Sequence, residues 1–316
     1  MTPPERDLAP YRRCELVTPA SSDRMLAKAS RSGADLVVAD LEDGVSPSQK
    51  EESRQTLVRA ANELDWTGKA LAFRANGLHT PWFLDDLLEL VKGAGRNLDV
   101  LVLPKVRSPE EVGFVARLLD QLERKFSLPS RGIALEVLIE TASGVLAADQ
   151  IARASDRMRG LIFGLYDLSG DLGTQVTPGW ALDLSYARQR TLVCARAAGL
   201  LALDGITARY QDLELTHQES ENARRLGFDG KWAIHPGQVP VIQEVFTPTP
   251  EELETAARRV QAYREAGVSQ GKGALALDGE MVDEATVRFE ERRLALGRRL
   301  GLLSAARDGP APERVA

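Results

Sequence analysis

VLVLPKVRSPEEVGFVARLLDQLERKF (residues 100–126) carries the unit from which the fold is built. It opens on a short run of apolar residues that suits a strand buried on both faces. Ser108, Pro109 and Glu111 then mark a helix start: a capping hydroxyl, proline in the first turn and an acid after it. The residues beyond Glu111 have helical spacing. Working outward, strand-like runs recur at CELVTP (14–19), DLVVADLED (35–43), ALAFRAN (70–76) and ALEVLIE (134–140). Three more complete the series after them: GLIFGLYD (160–167), LLALDGI (200–206) and GKWAIHP (230–236). Strands alternating with helices at intervals of roughly thirty residues predict a closed (β/α)₈ TIM barrel over residues 12–246. An open doubly wound sheet fits less well, because the first turn reads TPASSDRM and lacks GxGxxG. From residue 247 the pattern changes to a C-terminal helical extension. A capped helix, a glycine-containing loop or hairpin and a last helix run to residue 303, and a flexible tail is expected over 304–316.

Composition narrows the function classes. A formal net charge of −6 with 43% hydrophobic and 27% charged residues describes a folded protein with no invitation to nucleic acid or an anionic membrane. ERRLALGRRL (291–300) reads as the wet side of an amphipathic helix. Cys14 and Cys194 form neither a disulfide framework nor a metal spacing, which points to a reducing cytoplasm. The N-terminal MTPPERDLAPYRR has no apolar core, so no signal peptide is expected, and no run is long enough to span a bilayer.

Catalytic groups of such barrels sit where strands end. Those ends carry Asp40, Glu42 and Asp43, then Arg74, Asn76, Lys105, Glu140, Asp167, Asp204 and His235. EVLIETASG (136–144) poses the sharpest question, since an apolar strand runs into the carboxylate of Glu140. Two readings stand: a rim glutamate paired with Arg74 or Lys105, or a carboxylate that converges with Asp167 on a hard cation. The second favours Mg²⁺, with Mn²⁺ as a substitute. Arg74 stands above Ala70 and Ala72, with room to lie in the barrel mouth and meet a substrate oxygen; a salt bridge to Glu42 or Asp43 is the plainer alternative. Alternation also turns Glu136 inward near the barrel floor, which requires a basic partner there or a bulge that shifts the parity.

These residues sit in TPASSDRMLAKASRSGADLVVADLEDGVSPSQKEESR, FRANG, LPKVRSPEEV, IETASGV, FGLYDLSGDLG, GFDGKWAIHPGQVPVI and LDGEMVDEATV. In these segments and their order the chain resembles the citrate lyase β-subunit-like branch of the HpcH/HpaI aldolase superfamily, which includes malyl-CoA and citramalyl-CoA lyases. The resemblance implies an Mg²⁺-dependent enzyme that cleaves or forms a carbon–carbon bond in a 3-hydroxyacyl-CoA thioester. It implies Glu140 and Asp167 as metal carboxylates, with Glu42 and Asp43 behind metal-bound waters. Arg74 would be the arginine on substrate oxygen, and Asp283 an acid lent by a neighbouring subunit of a trimer or hexamer. Arg24 and Lys28 resemble basic residues that meet the CoA phosphates. LVTPASSDRM departs from the usual LFVPGNRPRM at Val17 and Ser21, and Tyr166 stands where smaller or acidic residues are common, so the acyl group is left open. Alternatives within reach of the same residues are a malyl-CoA thioesterase, a citryl-thioester lyase subunit of a citrate lyase complex, and a class II pyruvate aldolase without CoA. The last usually needs an early histidine base, and His79 is poorly placed for it.

Overall fold

The computed structural model describes residues 11–176, 184–270 and 273–303. The expected flexible tail at 304–316 lies outside the described residues, as does most of the segment read for a signal peptide. Two compact units meet between Phe246 and Thr247.

The first unit is a closed barrel of eight parallel strands in sequential order. β1 (Cys14–Pro19), α1 (Asp23–Ser30), β2 (Leu36–Asp40), α2 (Lys50–Glu63), β3 (Ala70–Arg74) and α3 (Phe83–Ala94) open it. β4 (Val100–Leu103), α4 (Pro109–Lys125), β5 (Ala134–Ile139), α5 (Ala142–Ala152) and β6 (Met158–Phe163) continue it. After β6 come α6 (Leu165–Leu172), α7 (Ser185–Ala197), β7 (Leu201–Asp204), α8 (Leu213–Leu226), β8 (Gly230–Ala233) and α9 (Gln238–Phe246). Ser108 does hold the N-cap position of α4, but its hydroxyl makes no capping hydrogen bond. Glu111 reaches back past the cap position and accepts the Arg107 N–H at 2.8 Å.

Strand alternation sorts the apolar residues into two cores. Leu36, Val38, Ala72, Val102, Leu138 and Ile162 fill the lumen. Val37, Leu71, Phe73, Leu101, Val137 and Leu161, their neighbours in sequence, face the helices. The strands are thus apolar on both sides, which is why they read as continuous hydrophobic runs.

Glu136 keeps its inward direction and is fully buried. The bulge foreseen as a possible escape lies on the partner strand: Leu135 pairs with Met158 but Glu136 with Gly160, so Arg159 is the extra residue. Arg12 supplies the floor's positive charge, 3.7 Å from Glu15. Trp232 Nε1 donates to Glu15 at 2.7 Å. Among the described residues, neither Glu136 oxygen receives a hydrogen bond as an ionised group, and its neighbour is Glu15. Burial pushes both carboxyls above their ordinary range, and for Glu15 the charge of Glu136 adds to it. A proton shared between them would give each carboxyl one partner.

The second unit holds α10 (Pro250–Gln270), the hairpin β9 (Ala274–Leu277) and β10 (Glu280–Asp283), and α11 (Glu284–Arg299). Asp278 and Gly279 turn the hairpin with φ of 54° and 82°, the left-handed pair that a two-residue turn requires. Leu253, Ala256, Val260, Val282, Val287 and Leu294 form its core. The buried Glu290 binds Arg259 and Arg293 at 2.8 and 2.9 Å.

The barrel floor generates a pH prediction. Both carboxyls hold their proton more tightly in the folded chain, so the folded state binds more protons above the ordinary glutamate value of 4.5. Stability therefore falls as pH rises, by up to about 1.4 kcal/mol per pH unit for each retained proton. Thermal melts between about pH 5 and 8 are expected to fall less steeply for Glu136→Gln than for the wild type.

Candidate active site

β2 and β3 end level with each other, Asp40 opposite Arg74. This register makes the first half of the site. Arg74 donates from Nε and Nη2 to the two oxygens of Asp40, both at 2.7 Å. That fork leaves Nη1 as the edge turned to Glu42, 3.0 Å away, with Asp43 at 4.0 Å. The Glu42 contact lies off the N–H axis, so this buried oxygen has an ion-pair partner but no hydrogen bond. Asp40 also accepts the N–H groups of Glu42 and Gly44 at 2.8 and 2.9 Å, which curls the loop after β2. Lys50 fastens the same loop from α2, donating to the carbonyls of Leu41 and Glu42 at 2.6 Å. Beneath Arg74 lies the Trp232 ring, its centroid 5.9 Å from the guanidinium carbon.

The second half comes from β4, β5 and β6. Glu140 directly follows β5 and is only 2% exposed. It packs on Gly164, where a Cβ would lie 2.6 Å from its Oε2. One oxygen accepts the Lys105 backbone N–H at 2.7 Å. Lys105 adopts φ 54°, a left-handed conformation uncommon for a lysine and the kind of strain that gathers at functional sites. Its ammonium stands 3.0 Å from Glu42, 3.3 Å from Asp43 and 3.3 Å from Asp167. Asp167 does not end a strand, as the sequence had suggested. β6 stops at Phe163, and Asp167 projects from the first turn of α6.

Five carboxylates (Asp40, Glu42, Asp43, Glu140 and Asp167) thus gather around two cations, Arg74 and Lys105. Burial, then the charges of Glu42 and Asp167, push Glu140 up to about 8. Glu42 rises to about 7, because burial outweighs its two cationic neighbours. Asp40 goes the other way: burial works against its charge, but Arg74 and the loop N–H groups hold it below the usual carboxylate range. Lys105 is raised by the carboxylates around it despite its burial.

Such a cluster lacks positive charge. An all-oxygen set with two carboxyls forced toward protonation fits a hard divalent cation, with Glu140 and Asp167 as protein ligands. Among the described residues no three His, Cys, Asp or Glu side chains form a ready-made coordination set. Mg²⁺ needs none, since it usually takes one or two carboxylates and leaves its other positions to water and substrate. Beside the acids opens a cleft of about 470 Å³, lined by Glu42, Asp43, Lys50, Asn76, Lys105 and Arg107 among others.

The structure brings together Arg74, Glu140, Asp167, Glu42 and Asp43. Arg24 and Lys28 are exposed on α1. Asp283 belongs to the second unit, where it caps α11 by accepting the Thr286 N–H at 2.9 Å. Two strand-end residues proved structural: Asp204 is locked by Arg188 and Lys231, while Asn76 donates to Asp86. His235 stacks on Tyr210. Sequence reasoning gave no role to Asp40, and named Lys105 only as a possible ion-pair partner of Glu140, which instead accepts its backbone N–H. The equal depth of VVAD and AFR on adjacent strands was the available signal for the first.

A closed barrel with an electron-rich, all-oxygen mouth defines a barrel enzyme of the hard-metal type. The chain belongs to the HpcH/HpaI aldolase/citrate lyase family, whose pattern matches residues 13–236. It is 34% identical over 295 residues to an L-malyl-CoA/β-methylmalyl-CoA lyase of Cereibacter sphaeroides, covering 88% of this chain and 92% of that protein. A (3S)-malyl-CoA thioesterase of the same species is 34% identical over 283 residues, covering 90% and 93%. Among solved structures, CitE of Mycobacterium tuberculosis in complex with magnesium, acetoacetate and coenzyme A superposes with a TM-score of 0.74. It is 31% identical, over 93% of this chain and 99% of that one.

Gly164 offers a test of the geometry. In Gly164→Ala the new Cβ would sit 2.4 Å from the Glu140 Cβ, so the carboxylate must move. The expected result is a fall in turnover of roughly a hundredfold with the circular dichroism spectrum unchanged.

Proposed function

We propose that this chain is a magnesium-dependent carbon–carbon lyase acting on a 3-hydroxyacyl-CoA thioester such as malyl-CoA or citramalyl-CoA. It would release, or join, acetyl-CoA and a 2-oxo acid. The observation that carries the reading is the buried Glu140 facing the half-buried Asp167, in a cluster with more carboxylates than cations, beside an arginine that Asp40 holds rigid.

Glu140 and Asp167 would hold the cation. When bound, magnesium supplies Lewis-acid polarisation of the oxygens at the hydroxy-acid end. Glu42 and Asp43 would accept hydrogen bonds from water at the same mouth. Arg74 is fixed by Asp40 through Nε and Nη2, and its Nη1, 3.0 Å from Glu42, would stabilise negative charge as it develops on substrate oxygen. Because the fork to Asp40 is already made, little reorganisation accompanies that step. In cleavage the hydroxyl gives its proton to solvent and becomes the carbonyl of the 2-oxo acid as the carbon–carbon bond breaks; the electron pair of that bond is left on the acetyl carbon, which takes up a proton. Asp283, from a neighbouring copy in a trimer or hexamer, is the acid we assign to this transfer. The Thr286 backbone N–H and hydroxyl hold its carboxyl below the usual range, which suits the proton-abstracting direction; to serve cleavage the carboxyl must first take up a proton. Arg24 and Lys28 would meet the CoA phosphates as exposed cations. Among the described residues no helix is long and apolar enough to cross a membrane, and we place the enzyme in the cytoplasm.

A thioesterase outcome is the second reading, favoured by the likeness to the malyl-CoA thioesterase. In that case the same mouth would direct water at the thioester.

Purified protein assayed against malyl-, methylmalyl-, citramalyl- and citryl-CoA, with magnesium or with EDTA, separates the two. A lyase yields a 2-oxo acid and acetyl- or propionyl-CoA, whereas a thioesterase yields free CoA. EDTA, Glu140→Ala and Asp167→Ala are each expected to abolish turnover. Asp283→Asn keeps a good helix cap, so its melting temperature should move by less than roughly 2 °C. Its exchange of acetyl protons with deuterated solvent should nevertheless collapse. Retained exchange would remove Asp283 from the mechanism.

A further inference from the structure

Lys105 reaches both presumed metal carboxylates through different groups. Its backbone N–H fixes Glu140 at 2.7 Å, and its ammonium stands 3.3 Å from Asp167. The same ammonium lies 3.0 Å from Glu42 and 3.3 Å from Asp43. No other ammonium of the described chain contacts Asp167 in an ion pair. A left-handed backbone at Lys105 is what lets one residue do both things, N–H toward β5 and side chain across the mouth.

We propose that the Lys105 ammonium is a built-in competitor of the divalent cation: it offsets part of the cluster's negative charge at Asp167, Glu42 and Asp43 and so weakens metal binding. This rests on the reading of Glu140 and Asp167 as metal ligands. The physical reason is charge proximity. An ammonium 3.3 Å from Asp167 repels a dication held by the same carboxylate; with both side chains 35% exposed, water screens part of that repulsion and leaves the short-range part of it. Coulomb energy varies as the product of charges, so a dication suffers twice the repulsion a monovalent ion would. The backbone hydrogen bond to Glu140 is a separate, positioning contribution, and it survives any change of side chain. Metal would therefore bind weakly to the free protein and more firmly with an anionic substrate, whose charge offsets the ammonium. Lys105 would couple the two binding events.

Isothermal titration of MgCl₂ into the substrate-free protein tests this, with wild type, Lys105→Met and Lys105→Arg compared. Methionine keeps the unbranched stem and backbone N–H while removing the charge. The prediction is at least tenfold tighter magnesium binding in Lys105→Met, near wild-type affinity in Lys105→Arg, and a larger magnesium-induced rise in melting temperature for the methionine variant. Lys105→Gln repeats the measurement should the methionine variant fail to fold. Equal or weaker binding in the neutral variants, with the wild type binding normally, overturns the proposal and makes the ammonium a positioning group. Absence of binding in every protein, wild type included, overturns the metal reading itself and this proposal with it.

Discussion

The excess of carboxylate over cation at the barrel mouth is the constraint on which the site depends. Burying one ionised carboxylate is costly, and this structure draws several into one place with two basic side chains between them. The cost is visible where burial is deepest: Glu140 is pushed toward protonation while Asp40, with an arginine fork, is not. A protein that retains such an imbalance has a use for a further positive charge. A family whose solved member was crystallised with magnesium, acetoacetate and coenzyme A gives that charge a chemical identity.

The barrel tolerates the arrangement because its two ends are separate electrostatic problems. At the floor, Glu15 and Glu136 are fully enclosed and both are pushed toward protonation, with Arg12 and the indole of Trp232 beside Glu15. At the mouth, the acids stay near solvent on one side, with Asp43 and Lys105 partly exposed. Apolar lumen residues such as Leu138 and Ile162 fill the space between the floor and the mouth. Trp232 spans part of it, with its N–H on the floor glutamate and its ring under Arg74.

Most of the fold was legible in the sequence because it is periodic. Eight apolar runs with polar ends can hardly be arranged otherwise, and each of them overlaps an observed strand. The candidate site was legible to the extent that it sits at those ends: Arg74, Glu140, Glu42 and Asp43 were readable from strand position alone. Asp167 was read into a strand because LIFGLYD is apolar enough to continue one. The chain instead turns at Gly164, where Glu140 leaves no room for a side chain, and α6 begins. The Asp40–Arg74 fork depends on register between strands, and Lys105 on a left-handed backbone. Neither has a local signature in hydrophobic pattern. Glu136 shows the same limit from the other side, since its inward direction followed from alternation but the bulge fell on β6, the strand opposite.

Anomalous diffraction from crystals grown with manganese in place of magnesium tests the central claim most directly. A single strong peak per chain between the Glu140 and Asp167 carboxylates is the predicted result. An empty mouth at saturating manganese, with those carboxylates still held by Lys105 alone, would contradict it.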